Sequence, residues 1–126
     1  MTPAFLDTSV LVALAFNEPA AADAAQRLSE SPWMFAATLL DAELRCVMQR
    51  EGRTLNPALL DQLHWVIPGR RLTEEIDRVL SAGYVRGADC WHLATALYLS
   101  PNPSELVFLT LDGRQRDVAV ALGFRV

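Results

Sequence analysis

The sequence predicts an α/β fold, a three-layer α/β/α sandwich around a central, mostly parallel sheet. Short apolar runs alternate with segments of helical spacing along the chain. No two-residue hairpin turn joins two of those runs, so successive strands are linked by crossovers. The 126 residues also contain no long-period repeat, Ser/Gly-rich linker or charge block. Residues 1–126 therefore read as one domain, of a size at which folding buries roughly 65–70% of the unfolded chain's surface.

The elements follow in order. Ala4-Phe5-Leu6 is a short strand ending in Asp7-Thr8-Ser9, and Val10, Leu11, Leu14 and Ala15 then fall at helical spacing. Glu18-Pro19 interrupts, and Ala21, Ala24, Ala25 and Leu28 form the inner stripe of a second helix that Ser31-Pro32 ends. Trp33 to Ala37 is a second strand. Thr38, with Asp41 three residues on, predicts a capping box for a helix that runs to about Arg50 and stops at Gly52. A further helix is expected over Pro57 to Trp65, a short strand at Arg70-Arg71-Leu72, and a helix near Glu74 to Ser81 capped by Thr73. Tyr84 to Gly87 is a loop leading into a long helix, Ala88 to about Leu99, which Pro101 and Pro103 terminate. Leu106 to Thr110 is the clearest strand. Asp112-Gly113 turns the chain into a last helix, Arg114 to Leu122, which Gly123 releases into a terminal strand, Phe124 to Val126.

Composition removes several function classes. Hydrophobic residues make up 52% of the chain against 21% charged, which excludes a disordered or low-complexity chain. All 11 basic residues are Arg. Without Lys there is no P-loop and no Schiff-base chemistry. The formal net charge of −4 provides no whole-molecule field for nucleic acid, so such binding must rely on local Arg clusters. Cys46 and Cys90 show neither zinc spacing nor the density of a disulfide scaffold. The N-terminus lacks a basic n-region, and the longest apolar run, Val10 to Phe16, is far short of the ~20 residues that span a bilayer. No membrane association and a cytoplasmic location are expected.

Four carboxylates stand in costly places. Asp7 and Asp112 each follow a strand, so both belong at the carboxyl edge of the sheet, where ligands gather in folds of this class. Glu43 shares a helix face with Leu39, Leu40, Leu44 and Val47. Asp89 heads the inner stripe of the long helix, ahead of Leu93, Ala96 and Leu97. Taken singly, Asp112 also fits an ordinary turn or cap, Asp89 a first-turn acid, and Asp7 a helix cap. Together they need a positive partner, because a buried ionised carboxylate costs several kcal/mol unless paired or bound to a cation. With no Lys and no suitably spaced His, the economical partner is a divalent metal, and all-oxygen ligands favour Mg²⁺ or Mn²⁺. A phosphodiester is then the natural substrate.

These residues resemble the PIN-domain ribonucleases, in particular the VapC-like toxins of bacterial type II toxin–antitoxin pairs. Phe5-Leu6-Asp7-Thr8-Ser9-Val10-Leu11 is similar to the family's opening strand and first acid, and Asp41-Ala42-Glu43-Leu44-Arg45 to its helical Glu. Gly87 to Ala96, with Asp89, is similar to the block around its third acid, and Leu109-Thr110-Leu111-Asp112 to that of its fourth. The resemblance implies a metal-dependent endoribonuclease, commonly a homodimer, held inactive by a protein antitoxin. Carried over by position, Asp7, Glu43, Asp89 and Asp112 would bind Mg²⁺ or Mn²⁺. Adjacency then gives Thr8, Ser9 and Thr110 the task of orienting carboxylates or metal waters, with local capping as the alternative. Arg86, Arg114 and Arg116 flank the third and fourth acids and are candidates for RNA phosphates, a solvated Arg being the plain alternative. Cys90-Trp91 after the third acid departs from the commonest pattern, and Trp91 is expected to pack. His92 invites a general-base role, although a buried, hydrogen-bonded helix His is the simpler expectation.

Two other functions compete with the nuclease. A PIN-like domain whose acids bind metal but which serves as an RNA- or protein-binding module would more readily have lost one of the four acids. A phosphatase with Asp7 as nucleophile lacks both the Lys and a second acid at position 9, which is Ser.

Overall fold

The computed structural model describes residues 2–126. Four strands, β1 (Ala4–Leu6), β2 (Met34–Ala37), β3 (Leu63–Val66) and β4 (Val107–Leu109), form one sheet in the order β3-β2-β1-β4, and every pairing is parallel. Six helices connect them: α1 (Thr8–Ala15), α2 (Ala21–Ser29), α3 (Leu39–Arg50), α4 (Thr73–Ala82), α5 (Gly87–Leu99) and α6 (Gly113–Leu122). The result is the three-layer α/β/α sandwich that strand–helix alternation predicts.

Period-2 alternation divides the core into two halves. Phe5, Ala37 and Phe108 face the layer of α4, α5 and α6, with the Phe5 and Phe108 rings stacked 5.7 Å apart. Ala4, Leu6, Ala36 and Leu109 face the layer of α1, α2 and α3, where Val10, Leu40 and Leu44 are fully buried. The chain leaves β1 for β2 and β3 on one side and returns as β4 on the other. The carboxyl ends of β1 and β4 thus flank the point where strand order reverses, the usual ligand crevice of an open parallel sheet. The Asp7 amide extends the ladder by donating to the Leu109 carbonyl at 3.2 Å, which fixes Asp7 beside Thr110.

Several local expectations fail for identifiable reasons. The segment expected as a helix from Pro57 to Trp65 is a single 3₁₀ turn, Pro57–Leu59, followed by β3. Leu59, Leu60 and Leu63 mimic helical spacing, but Leu63 and Val66 gain more by pairing with β2 and burying against the sheet. No strand forms at Arg70-Arg71-Leu72, since β3 already occupies that edge and Leu72 instead packs into the core below α4. Helix α4 begins at Thr73 with Leu72 in the cap position, so Thr73 is not the cap. The capping box at Thr38 is also absent. Thr38 is itself helical in backbone and makes no side-chain cap, while Asp41 pairs with Arg45 at i+4. The terminal strand reduces to one bridge, Val107 to Arg125. Gly52 and Gly123, both at positive φ, end α3 and α6 where the sequence places those ends. No helix among the described residues is long and apolar enough to cross a membrane.

Candidate functional site

The carboxyl ends of β1 and β4, the first turns of α1, α5 and α6 and the first half of α3 meet at one edge of the sheet. Asp7 is the innermost acid, 4% exposed. Although it occupies the cap position of α1, its side chain caps nothing in that helix. Both oxygens are taken by hydroxyls instead: Ser9 Oγ donates to Oδ1 at 2.6 Å and Thr110 Oγ1 to Oδ2 at 2.7 Å. Gln115 Oε1 lies 3.2 Å from the same Thr110 hydroxyl, but one proton cannot serve two acceptors, and the shorter bond to the charged oxygen wins. The two hydroxyls are held in turn, Ser9 Oγ accepting from the Leu111 amide at 2.9 Å and Thr110 Oγ1 from the Asp112 amide at 3.1 Å. Even so, burial pushes the Asp7 carboxyl above its ordinary range, and the charge of Asp89 adds to that, while the hydroxyl bonds oppose it.

Asp89, in the first turn of α5, is half-buried. Its carboxyl is raised by burial, then by the charges of Asp112 and Glu43, with His92 and Arg86 opposing. Asp112 is exposed and caps α6, accepting the Gln115 amide on Oδ1 at 2.9 Å. The capping role that an Asp-Gly turn offers is therefore realised, on one oxygen. Glu43 projects from α3 toward the opposite helix layer, where Oε1 accepts from Thr8 Oγ1 at 2.7 Å and from His92 Nε2 at 2.6 Å. The His92 hydrogen bond leads the causes that hold the Glu43 carboxyl below its usual range.

His92 is 1% exposed. A carboxylate only accepts, so Nε2 carries the proton, and Nδ1 is left as a buried nitrogen without a partner among the described residues. With one nitrogen committed to Glu43 and the other enclosed, the ring presents nothing to a reacting group. The general-base role falls away, and His92 instead holds Glu43 across the two layers. Gln115, fully buried, does the same between α6 and α5 by donating Nε2 to the Asp89 carbonyl at 3.3 Å. The sequence leads one to expect His92 as a buried, hydrogen-bonded helix His, as found, but it does not name its Glu43 partner, and Gln115 is not a site candidate on sequence grounds. Gln115 carried a usable signal, however, since it heads the buried stripe of Val118 and Ala119 on α6 just as Asp89 heads that of α5.

Mutual charge effects link Asp7 to Asp89, and Asp89 to Asp112 and Glu43. Among the described residues, the ion pairs made by Arg involve Asp41, Glu51 and Glu75, so none neutralises these four acids. Their separation is wider than a shared cage: no three His, Cys, Asp or Glu side chains among the described residues converge closely enough to hold one ion between them. The donor chemistry nonetheless fits Mg²⁺ or Mn²⁺. Every candidate ligand is a carboxylate oxygen, the acids lack Arg partners, and Mg²⁺ characteristically takes one or two protein carboxylates and keeps several waters. Arg86, Arg114 and Arg116 are exposed around the rim, with the Arg114 guanidinium 6.0 Å from the centre of the Tyr84 ring. Trp91 is partly buried against the core.

A family model described as PIN domain matches residues 4–121. No curated protein and no solved structure matches the chain.

The charge balance predicts how the metal-free protein responds to pH. A raised carboxyl pKa means that the charged form is penalised in the folded state. That cost is complete above the folded pKa and disappears as pH falls through it to the unfolded value near 3.8. In EDTA, Asp89→Asn should therefore melt higher than the wild type at neutral pH, and the difference should vanish on approaching about pH 4. A constant difference across that window in thermal scans would contradict it. Gln115→Ala should destabilise by about 1–3 kcal/mol by removing a fully buried side chain and its hydrogen bond to the Asp89 carbonyl, read as a lower urea midpoint with an unchanged slope.

Proposed function

The chain belongs to the PIN domain family, and from that premise we propose that it is a Mg²⁺- or Mn²⁺-dependent endoribonuclease and the toxin of a type II toxin–antitoxin pair. PIN domains are in general nucleases that use divalent metals and act on RNA. The observation that carries the reading for this chain is the gathering of four acids, none of them in a direct ion pair with Arg among the described residues, at the strand-order reversal of a parallel sheet.

In this reading Asp7, Glu43, Asp89 and Asp112 hold the cation, directly or through water. When bound, the cation supplies an acidified water for attack on phosphorus and charge relief for the phosphate and the leaving oxygen. The chain's own part is to fix the carboxylates. Ser9 and Thr110 lock both oxygens of Asp7 in one plane, so its charge cannot turn away from the crevice. Thr8 and His92 occupy Oε1 of Glu43, leaving Oε2 as the oxygen available to a ligand. The Asp112 cap spends Oδ1 in the same way and leaves Oδ2. Arg86, Arg114 and Arg116 receive the phosphates on either side of the cut, the local positive surface that a chain of net charge −4 requires for a polyanion.

The toxin assignment draws its support from the distribution of the four sequence blocks over the chain, and it brings with it a protein antitoxin, a homodimer and a cytoplasmic site of action. Expression in a bacterial host should arrest growth, whereas Asp7→Asn should not. In vitro, Asp7→Asn and Asp89→Asn should each lose Mg²⁺- or Mn²⁺-dependent cleavage of single-stranded RNA by at least a hundredfold while keeping the wild-type circular dichroism. Equal cleavage by wild type and both variants would end the nuclease reading, and RNA binding without cleavage would favour a binding module. Millimolar metal should raise the wild-type melting temperature and raise that of Asp89→Asn much less, by binding linkage.

A further inference from the structure

An apolar groove of about 380 Å³ opens beside the first turn of α5, lined by Leu80 of α4, Tyr84 and Val85 of the connecting loop, and Gly87, Cys90 and Trp91 of α5. That volume lies within the range of small-molecule sites, roughly 300–1,000 Å³. Tyr84 is 67% exposed and Leu80 50%, so two large side chains of the lining stand in water on the same groove. Gly87 leaves the mouth open, since a Cβ there would meet nothing within 4 Å. The rim is basic: the Arg114 guanidinium lies over the Tyr84 ring, and Arg86 stands in the cap position of α5, near enough to Asp89 to lower its carboxyl against the larger effect of burial.

These features lie around α5 in an order that matches a nucleic-acid strand. Gly87, Cys90 and Trp91 share one side of the helix, and Asp89 and His92 the other, as 3.6 residues per turn requires. The groove is therefore separated from the acids by about one helix diameter, roughly 10 Å, with Arg86 between them at the helix N-terminus. A strand crossing that end can place one phosphate among the acids, the next charge against Arg86 and a neighbouring base in the groove.

We infer that this groove is a subsite for one unpaired nucleobase of the RNA, stacked on Tyr84 and flanked by Arg114, adjacent to but not at the position of cleavage. The inference rests on the nuclease reading for the acids, and it adds what that reading leaves open, how an acidic chain selects and holds its substrate. An aromatic face suits any base because every base offers a π-face. Such stacking contributes about 1–3 kcal/mol per base, and Arg beside the ring adds both a phosphate ligand and a cation–π partner. The base must be unpaired, since a base in a duplex keeps both faces covered by its neighbours. A basic rim joined to an aromatic groove and an acidic crevice offers a polyanion its three needs together, cations for phosphate, a face for a base and a place for a metal.

The test is anisotropy of a fluorescein-labelled single-stranded RNA of mixed sequence, titrated with the full-length protein in EDTA, where cleavage is silent, followed by Mn²⁺-dependent cleavage of the same RNA. Tyr84→Ala should weaken single-strand binding about tenfold and raise KM with little change in kcat. Tyr84→Phe, which keeps the ring, should bind as the wild type, and binding of a blunt RNA duplex should not respond to either change. Tyr84 is exposed, so both variants should melt as the wild type. If Tyr84→Ala binds and cleaves like the wild type, the subsite is wrong and the nuclease reading stands. If Tyr84-dependent binding is present but no metal supports cleavage, the subsite stands and the nuclease reading fails. If Tyr84→Ala instead turns a dimer into a monomer in sedimentation with RNA affinity unchanged, the groove is a contact between copies and the inference is overturned.

Discussion

The Asp7 carboxylate sits at the end of the central strand, nearly out of water, and the architecture around it works to keep it there. Burial of an ionised carboxylate is unfavourable by several kcal/mol unless something compensates. The compensation visible in the protein comes chiefly from two neutral hydroxyls, with a smaller contribution from the nearby His92 and no Arg contact. Hydroxyls orient a charge without neutralising it, which is why the carboxyl stays raised despite two short hydrogen bonds. The need to hold Ser9 and Thr110 in place then dictates the backbone on both sides: the Leu111 and Asp112 amides must turn back toward the crevice, and that turn is what starts α6.

Topology makes this arrangement available. Because the sheet order reverses at β1, the ends of β1 and β4 lie side by side with helices of different layers closing over them. Thr8 and Glu43 come from the layer of α1 to α3, His92 and Asp89 from that of α4 to α6. The 2.6 Å contact between Glu43 and His92 is the stitch between the layers beyond the end of the sheet. Asp7 and Thr110 continue the alternation of Phe5 and Phe108, so they turn toward the α5 and α6 side, where Asp89 and Gln115 meet them. Stability and charge placement are thus coupled, since the residues that join the layers are the residues that aim the acids.

Much of this is written in the chain at the level of single residues. Asp7, Glu43, Asp89 and Asp112 each interrupt an apolar pattern or end a strand, and that is enough to separate them from the other acids of the chain. The sandwich follows from alternation, and the ends of α3 and α6 from glycines that tolerate positive φ. The partners of the acids are much less legible. Nothing local in a helical His three residues past an Asp says that it will reach a Glu 49 positions earlier. Gln115 declares itself only as a polar residue at the head of a buried stripe. The third strand is missed because Leu59, Leu60 and Leu63 have the spacing of a helix, and what makes Leu63–Val66 a strand is the exposed edge of β2, a partner supplied by tertiary structure.

The lack of Lys bears on how these acids can be balanced. A Lys ammonium near four carboxylates would neutralise one of them permanently on a flexible stem, and the site would carry its own counter-ion. Arg is bulkier and planar, and among the described residues Arg45, Arg50 and Arg70 pair with acids on the outer faces while Arg86, Arg114 and Arg116 sit exposed at the rim, none in a direct ion pair with a crevice acid. The electrostatic debt inside the crevice is therefore open to an outside cation, and the rim is open to an outside anion. The crevice carboxylates and the exposed guanidiniums lie next to each other at the first turns of α5 and α6, which is the charge arrangement that the proposed reading, a phosphodiester arriving with a divalent metal, calls for.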